Sequence, residues 1–292
     1  MVIVKLIGGL GNQLFQYAMA RRISYLHNIP LKLDISGFVE YKLHNYSLMH
    51  FNIIEDIATQ GEIDKFKPHN VFSKRLFKLL NKFIIFNHSY VMERHHYFDP
   101  DILKIHGNSD SDVYLDGYWQ SEKYFLDIEA VVRDELSIKT LPDHENEIMI
   151  EKIINSAAVS LHIRRADYVA NSLTSKIYGT CTLDYYYEAV NMVAEKVEAP
   201  HFYIFSDDPP WVLANLKLKY PSTFVAHNGP DKNYEDLRLM SLCRHNIIAN
   251  STFSWWGAWL NQNADKIVVA PKHWFVNQTD VRDLLPQVWV KL

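Results

Sequence analysis

The sequence predicts an α/β fold of two doubly wound domains, and three observations lead there. A β-branched run, Val2–Ile7, stops at a glycine pair and passes into a helical pattern, the opening of a parallel crossover unit. From Ala158 onward, short apolar runs alternate with helical patterns, as the strands of a parallel sheet alternate with their covering helices. Between these regions lies a polar, proline-bearing stretch, Thr140–Glu147, the best candidate for a domain boundary. The division expected is 1–145 and 146–292.

The elements follow in order. After the Val2–Ile7 strand, Phe15, Ala18, Met19, Ile23 and Leu26 recur at the spacing of one helix face. Pro30 stops that helix, and Leu31–Ile35 reads as a second strand. Residues 36 to 138 are irregular and rich in His and aromatics, apart from Lys74–Phe83, which reads as a basic amphipathic surface helix. A basic amphipathic helix also suits anionic lipid, so peripheral membrane contact stays open there. The second half reads as strand Ala158–Ile163, helix Leu183–Val197, strand His201–Phe205 and a helix after Pro209-Pro210. Strand Thr223–Ala226, helix Tyr234–Arg244, strand Asn246–Ala249, a helix from about Ser251 and strand Lys266–Ala270 follow, then a helical or coil end.

Composition bounds the function classes. With 292 residues and 48% hydrophobic side chains the chain can bury a sizeable core. The net charge of −4, with no long Lys/Arg run, argues against nucleic acid as a partner. Positive charge for any anionic ligand must then be placed locally. The two cysteines, Cys181 and Cys243, lack CxxC spacing, which points to a reduced, cytoplasmic setting rather than a disulfide framework. No apolar run reaches the length needed to span a bilayer, and the N-terminus lacks a signal-peptide layout. Walker, G-x-S-x-G and H-E-x-x-H motifs are missing, which removes several NTPase and hydrolase classes.

Four constellations could carry chemistry. In Gly8-Gly9-Leu10-Gly11-Asn12-Gln13, Gly9 and Gly11 would let backbone approach a ligand at a helix start, where N–H groups favour anionic atoms. A dinucleotide fingerprint would need a third glycine at Leu14; Asp34 does end the second strand, where a ribose-binding acid sits. His162-Ile163-Arg164-Arg165-Ala166-Asp167 leaves a strand, and adjacent guanidiniums at the carboxyl end of a parallel strand can clamp a diphosphate. Equally, one arginine could pair with Asp167 and the other be solvated. Asn250-Ser251-Thr252 precedes Phe253-Ser254-Trp255-Trp256, so it reads either as a helix cap offering N–H groups and hydroxyls to phosphate or as a plain cap before an aromatic core stripe. Asp207 and Asp208 end another strand; such a pair can cap a helix, bind a metal, or accept from a base or ribose.

Taken together and in this order, GGLGNQLFQYA (Gly8–Ala18), GYWQSEKYF (Gly117–Phe125), HIRRADYV (His162–Val169), YIFSDD (Tyr203–Asp208) and NSTFSWWGAWL (Asn250–Leu260) resemble the α-1,2-fucosyltransferases of bacteria and animals. The H-x-R-R element and the glycine loop are also similar to those of α-1,6- and protein O-fucosyltransferases. Ala166 stands where many relatives carry glycine. The resemblance implies a GT-B architecture of two Rossmann-like lobes facing across a cleft, the first for the acceptor and the second for GDP-β-L-fucose. It implies an inverting transfer to O2 of a terminal galactose in a glycan, such as those of O-antigen or capsule.

Under that resemblance Arg164 and Arg165, with Ser251 and Thr252, stabilise the departing diphosphate, and Asn250 belongs to the same seat. His162 packs behind the guanidiniums or reaches the nucleotide. Asp207 or Asp208 accepts from the guanine edge, Asn12 touches the reacting end of the donor, and Asp167 is the candidate general base. Arginines in place of a metal-held diphosphate imply no metal and no cofactor. The partners expected are GDP-fucose and a galactose-terminated acceptor, with Tyr118 and Trp119 hinting at where the acceptor lies, and the location is cytoplasmic or peripheral at the inner membrane. A transferase for another nucleotide sugar, an NAD-dependent oxidoreductase and a non-catalytic sugar-binding protein remain as competitors.

Overall fold

A computed structural model describes residues 1–39, 44–66, 90–104, 112–165, 179–276 and 279–292. The expected Lys74–Phe83 helix lies outside the described residues. The chain divides into two compact units: Met1–Lys139 with Asp280–Leu284, and Thr140–Thr279 with Leu285–Leu292. The break falls a few residues before the sequence boundary, and the return of Asp280–Leu284 to the first unit is a feature no local pattern announces.

The first unit is built on a four-stranded parallel sheet. Its strands are β1 (Val2–Lys5), β2 (Leu31–Asp34), β3 (Tyr90–Met92) and β4 (Val113–Asp116), in the order β2-β1-β4-β3. The helix α1 (Leu10–His27) follows β1, and Asn28 ends it in the left-handed region at φ 50, two residues ahead of Pro30. Phe15, Ala18, Met19 and Ile23 are buried as expected, but Leu26 is 47% exposed. Gln13, Gln16 and Tyr17 are wholly buried beside the apolar residues, so the first half of α1 is a central helix rather than a half-exposed one. Below the sheet, Ile3 and Tyr114 pack with Ala58, Ile63 and Phe66. Ile63 lies in α2 (Gln60–Asp64), which begins on a reciprocal Thr59–Glu62 capping box. The short helix α3 (Glu129–Glu135) closes the unit.

The second unit holds a six-stranded parallel sheet, order β10-β9-β8-β5-β6-β7. Its strands are β5 (Ala157–Ile163), β6 (Pro200–Ser206), β7 (Ser222–Val225), β8 (His245–Ile247), β9 (Val268–Ala270) and β10 (Val290–Lys291). Its helices are α4 (His144–Ile154), α5 (Leu183–Ala194), α6 (Pro209–Asn215), α7 (Asn233–Leu242) and α8 (Thr252–Leu260). The expected linker in fact contains the start of α4, capped by Asp143, and the chain end, expected as helix or coil, carries the short strand β10. Strands flanked on both sides read as continuous apolar runs. Accordingly Val159, Leu161, Ile163, Phe202, Ile204 and Val269 form one core with α5 and α6. Each such side chain contributes about 1.5–3 kcal/mol by leaving water.

Candidate active site

Ligands of open parallel sheets meet them at the carboxyl ends of the strands, and the second unit brings most of the sequence-predicted residues to that edge. β5 runs between β6 and β8, with Ile163 opposite Ser206 and Leu161 opposite Ile247. One and two residues past Ile163 and Ser206, the register sets Arg164 and Arg165 beside Asp207 and Asp208, and three and four residues past Leu161 and Ile247 the same direction leads towards Asn250 and Ser251.

Both arginines meet the acids that end the neighbouring strand. The Arg165 backbone N–H donates to Asp207 Oδ1 at 2.8 Å. Arg164 Nε lies 3.1 Å from Asp207 Oδ2, and Arg165 Nε 3.5 Å from Asp208 Oδ2. These are ion pairs by distance, yet Arg165 Nε and Asp207 Oδ2 are buried without an aligned hydrogen-bond partner, so both keep unspent hydrogen-bonding capacity. The Arg165 guanidinium stacks 3.6 Å from the centre of the Trp211 ring. Trp211 carried no signal in the sequence beyond following the Pro209-Pro210 helix start.

Asp208 also caps α6, accepting from Trp211 N at 3.3 Å, while its own N–H donates to Ser206 Oγ at 3.0 Å. Both acids are thus engaged in holding the arginines and the helix, with Asp207 Oδ2 buried and lacking an aligned hydrogen bond. His162 is 3% exposed, its ring 5.6 Å from that of Phe253. Burial, helped by the Arg164 charge, pushes its pKa down to about 3, so the buried ring is neutral.

Asn250 engages its side chain within the protein. Its Nδ2 donates to the Trp274 carbonyl at 3.1 Å and the Gly179 carbonyl at 3.3 Å, and its Oδ1 accepts from Cys181 Sγ at 3.5 Å. It ties three segments of the edge together. Ser251 is the N-cap of α8, but its side chain makes no capping bond, so its hydroxyl is not used to close the helix. Behind the cap, Trp255 and Trp256 meet edge-to-face at 5.0 Å and Trp289 packs 5.4 Å from Trp255. The aromatic stripe is core. Thr252 opens the helix, and Asp167 lies outside the described residues.

At the carboxyl edge of the first unit, Gly8 takes φ +85, and a Cβ there would sit 2.6 Å from Asn12 Nδ2. The glycine whose freedom the turn requires is thus Gly8, ahead of the Gly9 and Gly11 singled out by the motif. Gly9 is the N-cap of α1, with the His44 ring 3.5 Å from where its Cβ would be, and Gly11 is buried in the first turn. Asn12 Oδ1 accepts from Gln120 Nε2 at 3.0 Å. Gln13 Nε2 donates to the Gly8 and Asn45 carbonyls, both at 2.9 Å, and Gln16 Nε2 donates to the Gly117 carbonyl at 3.1 Å. These glutamines fall at polar positions of the helical pattern, and their spacing of three was the signal available.

Two sequence expectations change here. Asp34 is 0% exposed and accepts from Tyr114 Oη at 2.6 Å and Ser36 N at 2.9 Å, so it faces no ribose. Trp119 is also fully buried, edge-on to Tyr124 at 5.7 Å, and cannot serve as a platform for a sugar ring. Among the described residues no group of three or more metal-ligating side chains occurs, and no helix is long and apolar enough to cross a membrane.

A family model described as glycosyl transferase family 11 matches residues 1–291. An α-1,2-colitosyltransferase of Escherichia coli is 34% identical over 100% of this chain and 98% of its own. A galactoside α-(1,2)-fucosyltransferase 2 of Hylobates lar is 22% identical over 91% of this chain and 71% of its own. Among solved structures, the α-1,6-fucosyltransferase NodZ of Bradyrhizobium, soaked with GDP-fucose, superposes with a TM-score of 0.51 at 14% identity, covering 89% of this chain and 92% of that one. That likeness is one of fold, and it agrees with the expected α/β architecture of GT-B type.

Proposed function

The chain belongs to glycosyl transferase family 11, and we propose that it transfers L-fucose from GDP-β-L-fucose to the 2-hydroxyl of a terminal galactose, leaving an α-1,2 linkage. The observation that carries this reading is the pair Arg164–Arg165 at the end of β5, held against Asp207 and Asp208, with the preceding His162 ring 5.6 Å from Phe253 of α8. The bond from the fucose anomeric carbon to the β-phosphate oxygen breaks while the acceptor O2 bonds to the opposite face of that carbon. The acceptor proton passes to a base, for which Asp167 is proposed, and GDP leaves with the electron pair. Negative charge grows on the diphosphate, so preorganised donors there contribute most to the rate. In the proposal Arg164 and Arg165 supply that charge, Ser251 and Thr252 supply hydroxyl and N–H donors, and Asp207 Oδ2 accepts from the guanine edge. Asn12 is given a catalytic contribution, and the first unit is assigned the acceptor.

With two guanidiniums at the diphosphate, the transfer is proposed to need no divalent metal. Activity should be unchanged in EDTA; abolition by EDTA with recovery in Mn²⁺ would overturn that part.

A second donor has a specific observation behind it, the α-1,2-colitosyltransferase at 34% identity. Colitose is L-fucose without the 3-hydroxyl, so one site could take either sugar. A site that hydrogen-bonds that hydroxyl rejects the deoxy sugar strongly, whereas a site that merely leaves room for it discriminates weakly. Incubation with GDP-fucose or GDP-colitose and a panel of galactose-terminated oligosaccharides decides between them. Turnover of GDP-fucose with an α-1,2 product supports the first reading, preference for GDP-colitose installs the second, and turnover of neither removes both.

A further inference from the structure

The turn that follows β4 is held by a carboxylate to which the sequence patterns drew no attention. Met92 pairs with Asp116, so the next residues of the parallel strands, Glu93 and Gly117, lie side by side. A Cβ on Gly117 would collide with Glu93 Cβ and come within 2.8 Å of the Trp119 ring, so only glycine permits this approach. The approach carries the Glu93 carboxylate to the next two backbone amides: Tyr118 N donates to Oε2 at 2.6 Å and Trp119 N to Oε1 at 2.9 Å. Trp119 is held at φ +55, an uncommon conformation for so bulky a residue, with its indole N–H buried and unpartnered. The turn is pinned from the other side by Gln16, which bonds the Gly117 carbonyl and accepts from Ile7 N at 3.0 Å. What this turn delivers is Gln120, whose amide donates to Asn12.

We propose that Glu93 is a positioning residue for acceptor use, its carboxylate clamping the 117–120 turn that carries Tyr118 and Gln120. This rests on the reading above that the first unit serves the acceptor. Such strained turns persist only where surrounding contacts over-determine them.

The clamp is also titratable near neutrality. Burial pushes the Glu93 carboxyl up to about 7, with the Asp116 charge adding, against the two N–H donors that favour the ionised form. The groups facing it are Asp116 from β4, itself held by Lys5 of β1 and Tyr90 of β3, the phenol of Tyr124, and its chain neighbour Arg94. Ionised, Glu93 accepts both amides; protonated, it loses acceptor capacity. Acceptor use should therefore fall as pH drops through about 7.

The experiment measures initial rates of the full chain from pH 5.5 to 8.5, wild type against Glu93→Gln, varying acceptor and donor separately. The wild type should show an inflection near pH 7 in kcat/KM for acceptor and none in that for donor. Glu93→Gln should raise acceptor KM about tenfold, the loss expected for one charge-assisted hydrogen bond, and should flatten the profile while donor KM stays within twofold. Asp236 of the second unit also has its pKa raised to about 7 by burial, so loss of the inflection in the variant is what assigns it. An unchanged acceptor KM with the inflection retained, or equal damage to donor and acceptor, overturns the proposal. If Glu93→Gln does not fold, an acceptor profile without inflection in the wild type overturns it alone. If the wild type turns over neither sugar donor, the functional reading fails. Acceptor binding at pH 6 and pH 8 then decides Glu93, and equal affinity at both overturns it.

Discussion

At the carboxyl edge of the first unit's sheet, side-chain amides and one carboxylate hold backbone: Gln13 and Gln16 bond loop carbonyls, Gln120 bonds Asn12, Glu93 takes two backbone N–H groups, and Lys5 is neutralised against Asp116 at 3.0 Å. At the same edge of the second unit's sheet, two guanidiniums are held against two carboxylates and an indole ring. Both sheets are all-parallel, and both edges follow from strand–loop–helix chemistry. The difference lies in which side chains terminate the strands. Neutral amides fix geometry without creating a field, which under the proposed function suits an uncharged sugar hydroxyl. Paired charges create a field, which under the same proposal an incoming diphosphate takes over as each carboxylate partly releases its cation. The fold supplies the position, and the strand ends supply the chemistry.

The largest test of this contrast removes a guanidinium. Arg165→Ala should lower the rate by about 10²–10³, the usual loss for one donor to a developing anion, with acceptor affinity unchanged. Near-normal turnover would dissolve the charged half of the comparison. Next in size is Gly117→Ala in the neutral half. The new methyl meets Glu93 and the Trp119 ring, so it should cost about 1–3 kcal/mol in thermal or denaturant unfolding, as overpacking does. The folded fraction should bind GDP as tightly as the wild type; parallel loss of GDP affinity would show that the two edges do not act separately.

The residues that could be read in advance are those whose signal is local. β1, β2, β5 and β6 are short β-branched or apolar runs with turns at their ends, and α1 has a helical period. Arg164 and Arg165 were legible because they directly follow such a strand. What stayed hidden depends on pairing at a distance. β3 is only Tyr90–Met92 and β4 only Val113–Asp116, and each becomes a strand because β1 or β4 offers it an edge. Asp207 and Asp208 could not be matched to the arginines without knowing that β5 lies beside β6. The burial of Gln13 and Gln16 was not legible, because side-chain period alone does not reveal a loop folded back over the helix. Trp119 hinted at where the acceptor lies, yet its ring is buried and its backbone left-handed.

The smallest expected effect probes how Arg165 is held. Its guanidinium has two supports, Asp208 at 3.5 Å and the Trp211 face at 3.6 Å. The ion pair is partly exposed, so its net worth is small; the stacked ring excludes water on one side and restricts the fork. A cation–π contact of this kind is worth about 0.5–2 kcal/mol. Trp211→Leu keeps an apolar residue in α6 and leaves the Asp208 cap in place, while giving the guanidinium freedom to swing. Donor KM should rise roughly 2- to 30-fold, the equilibrium equivalent of that energy, with acceptor KM and the pH profile of acceptor use untouched. A shift in acceptor KM instead would mean that the ring supports more than the charged edge, and would erase the division between a field-bearing half and a neutral one.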